Sequence, residues 1–147
     1  PSVNENSDKL NHAPFIFILD KFIAGTLKAE GFVNGKKVVS SFIKTPEKAS
    51  KIELSYDLSS VPINPKYPDM VFVYAKIVDA NGTIIPTASN EVTFTLAECN
   101  ASLIGENPVK AEAGIATIVL KTNDLKKNIK LIAQSLNLQS GTISVSK

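Results

Sequence analysis

Ser41-Phe42-Ile43-Lys44 has the Ser-x-x-Lys spacing of acyl-transfer enzymes, in which one helical turn sets a lysine amine beside a serine hydroxyl. The device works only on a helix, because positions i and i+3 of a strand point to opposite faces. Residues 36–43 read as a strand, so the pair is rejected. His12 is the single imidazole, so a Ser/His/Asp triad would have to recruit it from a polar lead, where it reads as a solvated side chain on a flexible arm. Glycoside hydrolysis needs two carboxylates about 5–9.5 Å apart across the scissile bond. The 14 acids offer many pairs, but Asp79 precedes a turn, Asp20 follows a strand and Glu53 faces outward. Asp69, Asp79 and Asn81 could lend oxygens to Ca²⁺, yet their loop lacks the dense Asp/Asn alternation of calcium-binding loops. Cys99 has no histidine partner and reads as a small buried or half-buried apolar residue. One Cys and one His leave no internal disulfide and no Cys/His zinc site. No catalytic, cofactor-binding or metal-binding residue is expected.

Composition bounds the rest. A chain of 147 residues, 44% hydrophobic and 20% charged with net charge +2, holds one ordinary domain, or one domain and part of another. Its apolar content excludes disorder, and with no apolar run near about twenty residues no membrane insertion is expected. All 16 basic residues are Lys. Bidentate guanidinium recognition of phosphate is therefore absent, +2 is too weak to steer a polyanion, and no nucleic-acid partner is expected. With no Trp, a sugar-binding face built on stacked indoles is excluded as well. Residues 1–12 form a polar, flexible lead without a targeting pattern, which together with Pro1 reads as an excised fragment or a mature product.

Any chemistry would have to sit on β-type elements. Phe15 to Leu19 is an apolar run read as a strand. Leu27 to Val33 leads into Asn34-Gly35, the strongest short hairpin signal, and Lys36 to Ile43 returns. Thr45-Pro46-Glu47-Lys48 breaks the pattern and puts a boundary near residue 49. Lys51 to Tyr56 alternates, with Ile52, Leu54 and Tyr56 on one face. The prolines at 62, 65 and 68 make the next stretch a connection. Met70 to Asp79 is apolar on both faces, as a central strand would be. Val92, Phe94 and Leu96 mark another strand, as do Ala116, Ile118 and Leu120, and Gly141 to Lys147 closes the chain. Turn signals at about 8–12-residue intervals predict an all-β sandwich. One segment is ambiguous. Asn123 could cap a helix with Leu125, Ile129, Ile132, Ala133 and Leu136 on one face, but Ile129 to Ala133 also serves as a strand; local pattern leans to the helix.

Ala75-Lys76-Ile77-Val78-Asp79-Ala80-Asn81-Gly82, then Pro86 and Val92-Thr93-Phe94, resembles the invasin-type bacterial immunoglobulin-like repeat. Ala111 to Thr117 and Ile129 to Ala133 match its later strands. Upstream, Pro14-Phe15 and Gly25-Thr26-Leu27-Lys28-Ala29-Glu30-Gly31 with Asn34-Gly35-Lys36 are similar to the immunoglobulin-like domain that follows the catalytic barrel in bacterial family 2 glycoside hydrolases. Pro86 to Val92 and Leu103 to Pro108 resemble the C-terminal domain of β-galactosidases in that family. The upstream strands usual in the first module are missing, and the glycine-rich stretch after Gly105 is shortened.

The resemblance implies an immunoglobulin-like β-sandwich over 50–147, preceded at 13–49 by the second half of another immunoglobulin-like module. It makes Ile129 to Ala133 the penultimate strand, paired with Gly141 to Ser146. It also implies a non-catalytic accessory region of a β-galactosidase-like hydrolase, whose partner is the remainder of the parent chain. A repeat of a bacterial surface adhesin or invasin is the alternative. No catalytic acid of the family maps onto these residues, and no cofactor is implied. The half module would expose an apolar sheet face, so self-association through residues 15–43 is expected. The lone thiol fits the cytosol and the outside equally; a periplasmic or extracellular bacterial setting is the expectation.

Overall fold

A computed structural model describes residues 9, 11, 15–58, 63, 67–97, 101–123 and 128–146. The chain divides between Thr45 and Pro46 into two compact units, 1–45 and 46–147.

The first unit contains one antiparallel hairpin, β1 (Thr26–Val33) and β2 (Lys36–Lys44). Asn34 and Gly35 turn it with φ of 50° and 75°, the left-handed pair that matches strand twist and that Asn-Gly tolerates best. A bulge interrupts the register between Gly31 and Phe32. At the open end, Thr45 N donates to Gly25 O at 2.8 Å and Gly25 N donates to Thr45 Oγ1 at 3.1 Å. The expected strand over Phe15 to Leu19 does not form; Ile16 alone makes an isolated bridge. Locally the run suits a strand, but all five side chains are exposed. With neither a ladder along its length nor a core beneath it, nothing holds the run extended.

The second unit is a sandwich of two four-stranded sheets. One has the order β3 (Lys51–Asp57), β4 (Asp69–Val78), β8 (Ile115–Thr122), β6 (Ala101–Ile104); the other runs β10 (Gly141–Val145), β9 (Ile129–Gln134), β5 (Glu91–Leu96), β7 (Val109–Lys110). Strand alternation builds the core. Val71, Val73, Ala75 and Ile77 of β4 and Ala116, Ile118 and Leu120 of β8 meet Val92, Phe94, Ile129, Leu131, Ala133 and Val145 from the other sheet. Burying such side chains contributes about 1.5–3 kcal/mol each, so this unit carries its own core. The chain is thus all-β, with an immunoglobulin-like sandwich.

Residues 129–134 are a strand, against the lean of their local pattern. Ile129, Leu131 and Ala133 are buried while Lys130 and Gln134 are exposed, and the strand is laddered to β5 on one side and β10 on the other. Two ladders outweigh a weak helical stripe that would have no complementary face to bury against. β4 is central, as its composition suggested, but its outer face is covered at one end only: Val78 is buried there while Met70 and Phe72 lie exposed.

Candidate functional site

The residues singled out for chemistry do not converge. Ser41 lies opposite Ala29 and Lys44 opposite Thr26 in the hairpin register, so the serine and lysine occupy different faces of β2. Asp69 and Asp79 sit at the two ends of β4, about 30 Å apart at strand rise, and cannot share one cation. Asp69 Oδ1 accepts from Met70 N at 2.8 Å, and Asp69 N donates to Thr122 Oγ1 at 3.0 Å. No group of three or more His, Cys, Asp and Glu placed to hold a metal occurs among the described residues. His12, Cys99 and Leu125 lie outside the described residues.

Asp79 proves to be a structural centre. It is fully buried. Its Oδ1 accepts from Asn81 N at 2.9 Å and Thr83 N at 2.8 Å, and its Oδ2 accepts from Glu47 N at 3.0 Å. Asn81 Nδ2 in turn donates to Glu47 Oε1 at 3.2 Å. The sequence marks the turn at Ala80 to Thr83 but gives no sign of the bond to Glu47, 32 residues away.

A shallow open groove of about 460 Å³ runs between Lys51–Leu54 and Gln139–Thr142. At its head β3 and the approach to β10 bond as a short parallel pair: Ile52 N donates to Gln139 O at 2.9 Å, and Gln139 N donates to Ser50 O at 2.9 Å. Glu53 is the one carboxylate lining the groove, and Lys51 Nζ holds it at 2.9 Å. Hydrogen bonding and one neutralised ion pair are what this groove offers; paired acid and base work is not among them.

Two apolar surfaces stand out instead. In the first unit, fourteen large apolar residues are exposed and, among the described residues, none is buried. The ion pairs of the hairpin gather on one of its sides. Leu27, Ala29 and Val33 of β1 share one side with Val39 and Ile43 of β2. On the other, Lys28 Nζ and Lys37 Nζ hold Glu30 Oε1 at 2.8 and 3.3 Å, beside the exposed Phe32 and Phe42. In the second unit, the outer face of β3-β4-β8-β6 carries Met70, Phe72, Val119 and Ile104. Phe72 pairs with Val119 and Val119 with Ile104, so the three side chains lie in one row across three strands. Sequence reasoning missed this row, because nothing local in β4 distinguishes an apolar outer face that is covered from one that is not.

Comparison with known proteins gives these surfaces a setting. Residues 52–144 match the family described as glycoside hydrolase family 2 C-terminal domain 5. A β-galactosidase of Thermoanaerobacter pseudethanolicus is 33% identical over 110 residues, which cover 75% of this chain and 14% of that protein. The β-galactosidase BoGH2A of Bacteroides ovatus is 30% identical over 139 residues, covering 86% of this chain and 16% of that protein. Among solved structures, a glycosyl hydrolase family 2 member from Bacteroides cellulosilyticus superposes with a TM-score of 0.68 at 21% identity, over 85% of this chain and 19% of that one. A β-glycosidase from Bacteroides vulgatus gives 0.67 at 19% identity, over 86% and 18%. The chain therefore spans about a sixth of the length of the curated relatives it matches.

Proposed function

The chain belongs to the glycoside hydrolase family 2 C-terminal domain 5 family, and from that membership we propose that it is a non-catalytic accessory region of a β-galactosidase-like hydrolase, packed on or extending the catalytic part of its parent chain. The observation that carries this reading is the groove beside β3. It offers one carboxylate, Glu53, tied to Lys51, where hydrolysis across a glycosidic bond requires two. Membership in a hydrolase family favours this parent over a surface-adhesin repeat. The two relatives named β-galactosidase support the activity class of the parent. A periplasmic or extracellular setting belongs to the same reading, and fractionation of the native cells tests it.

Residues 13–49 are read as the second half of a further immunoglobulin-like module. The apolar side at Leu27, Val39 and Ile43 supports this, since it lacks an opposing layer. In the isolated chain the same side supports self-association through residues 15–43. The test of the accessory role is a chromogenic galactoside assay on the purified chain and on its full-length parent. Turnover by the parent and none by the chain is expected. Hydrolysis by scrupulously pure chain would overturn the reading.

A further inference from the structure

We propose that the outer face of the β3-β4-β8-β6 sheet, at Met70, Phe72, Val119 and Ile104, is the surface by which the sandwich docks against the remainder of its own polypeptide. The inference rests on the accessory-region reading and adds the contact surface to it. Met70 is 64% exposed, Phe72 54% and Ile104 44%, with Val119 half-buried between the last two. Register makes them one patch: Phe72, Val119 and Ile104 are successive neighbours across β4, β8 and β6, and Met70 lies two residues from Phe72 on the same face. The surrounding positions of that face are polar. Asp57 is opposite Phe72, Lys121 lies between Met70 and Ser102, and Ser55 and Thr117 flank Tyr74. An apolar centre with a polar rim is the composition of a protein interface.

The occupant follows from what the chain is part of. Its curated relatives are single polypeptides of which it matches 14% and 16%. The rest of such a chain is tethered to the sandwich, and tethering raises its local concentration to about the millimolar range, ahead of any free partner. The patch also lies at the end of the sheet opposite to where the linker enters. Lys51 pairs with Val78 at one end of β3, and Asp57 with Phe72 at the other. The Pro46 to Ser50 linker, held by Glu47 at Asp79 and by Ser50 at Val78, is thus at the wrong pole to cover it. Aliphatic Met70, Val119 and Ile104 around Phe72 suit a protein surface better than a sugar, which asks for hydroxyl partners beside the ring.

Met70 is the single methionine of the 147 residues, and it makes the test direct. Thioether oxidation by dilute peroxide follows exposure and is read on the Met70 peptide by mass spectrometry. In the isolated chain Met70 should oxidise at the rate of a solvent-exposed methionine. In the full-length parent the rate should fall roughly tenfold or more, and Phe72→Ser with Ile104→Ser should restore it. Equal rates in the parent and the isolated chain overturn the docking surface. Protection in the isolated chain that grows with its concentration assigns the patch to a second copy. Protection on adding galacto-oligosaccharide assigns it to glycan. Either result also overturns the proposal. None of these outcomes touches the accessory-region reading, which stands or falls on the galactoside assay.

Discussion

The side-chain amide of Asn107 stands in for a strand partner of Phe94. Phe94 N donates to Asn107 Oδ1 at 2.9 Å, and Asn107 Nδ2 donates to Phe94 O at 2.8 Å. β5 and β7 pair at Glu91–Lys110 and Val92–Val109, and counting on from there puts residue 107 opposite Phe94. Pro108 has no N–H to give to a ladder, so the register continues through a carboxamide where the backbone pairing stops. An otherwise open stretch of β5 edge is thereby closed to other chains.

Asn107→Ala should therefore cost about 2 kcal/mol, from two lost hydrogen bonds and a buried Phe94 amide left without a partner. Urea unfolding followed by circular dichroism measures this. A shift of less than about 0.5 kcal/mol would mean that water takes over both bonds.

Asp79→Ala removes the acceptor for three backbone amides, Glu47, Asn81 and Thr83. A loss of about 3 kcal/mol is expected, with protease cleavage newly directed to residues 45–50. Asp79→Asn keeps one acceptor oxygen and should fall between the wild type and the alanine variant in the same unfolding assay.

How much of this was legible in the residues depends on how far apart the partners are. Asn34-Gly35 specifies its own turn and was readable at once. Ile52, Leu54 and Tyr56, and equally Ala116, Ile118 and Leu120, give their buried face by alternation. Ile129 to Gln134 was not decidable locally, since Ile132 is apolar too and blurs the period; the ladders from Thr93–Leu96 and Gly141–Val145 decide it. Asn107 and Asp79 look like ordinary turn residues. The bonds that set them apart reach positions 13 and 32 residues away, which no local pattern carries.

The Ala113-Gly114 turn gives two opposite expectations. Gly114 has φ of 79°, and a Cβ there would collide with the Ile85 carbonyl oxygen. Gly114→Ala should destabilise by about 3 kcal/mol from strain and displacement. Its neighbour Ala113 is exposed with φ of 48°, a left-handed conformation that costs alanine about 1 kcal/mol. Ala113→Gly or Ala113→Asn should raise stability by about 0.5 kcal/mol. Thermal unfolding midpoints of the three variants check the signs.

Leu27→Lys with Ile43→Lys places charge on the apolar side of the hairpin, where these residues face each other across β1 and β2. Sedimentation at micromolar concentration should show the parent sequence self-associated and the double variant monomeric, with the unfolding of the sandwich unchanged. A monomeric parent sequence with an ordered hairpin would remove the basis for self-association.

The bonds between Ser50, Ile52 and Gln139 bear on synthesis at the ribosome. β3 is the first strand of the sandwich to be made, and β10, which follows Gln139 directly, is the last. Until that final stretch has left the exit tunnel, β3 is held along one edge by β4 alone, and β9 waits for β10 on its outer side. The sandwich is thus closed by the last of its own strands to be translated, across a sequence separation that makes closure slow. A ribosome stalled short of residue 139 would hold a growing chain with two unsealed seams.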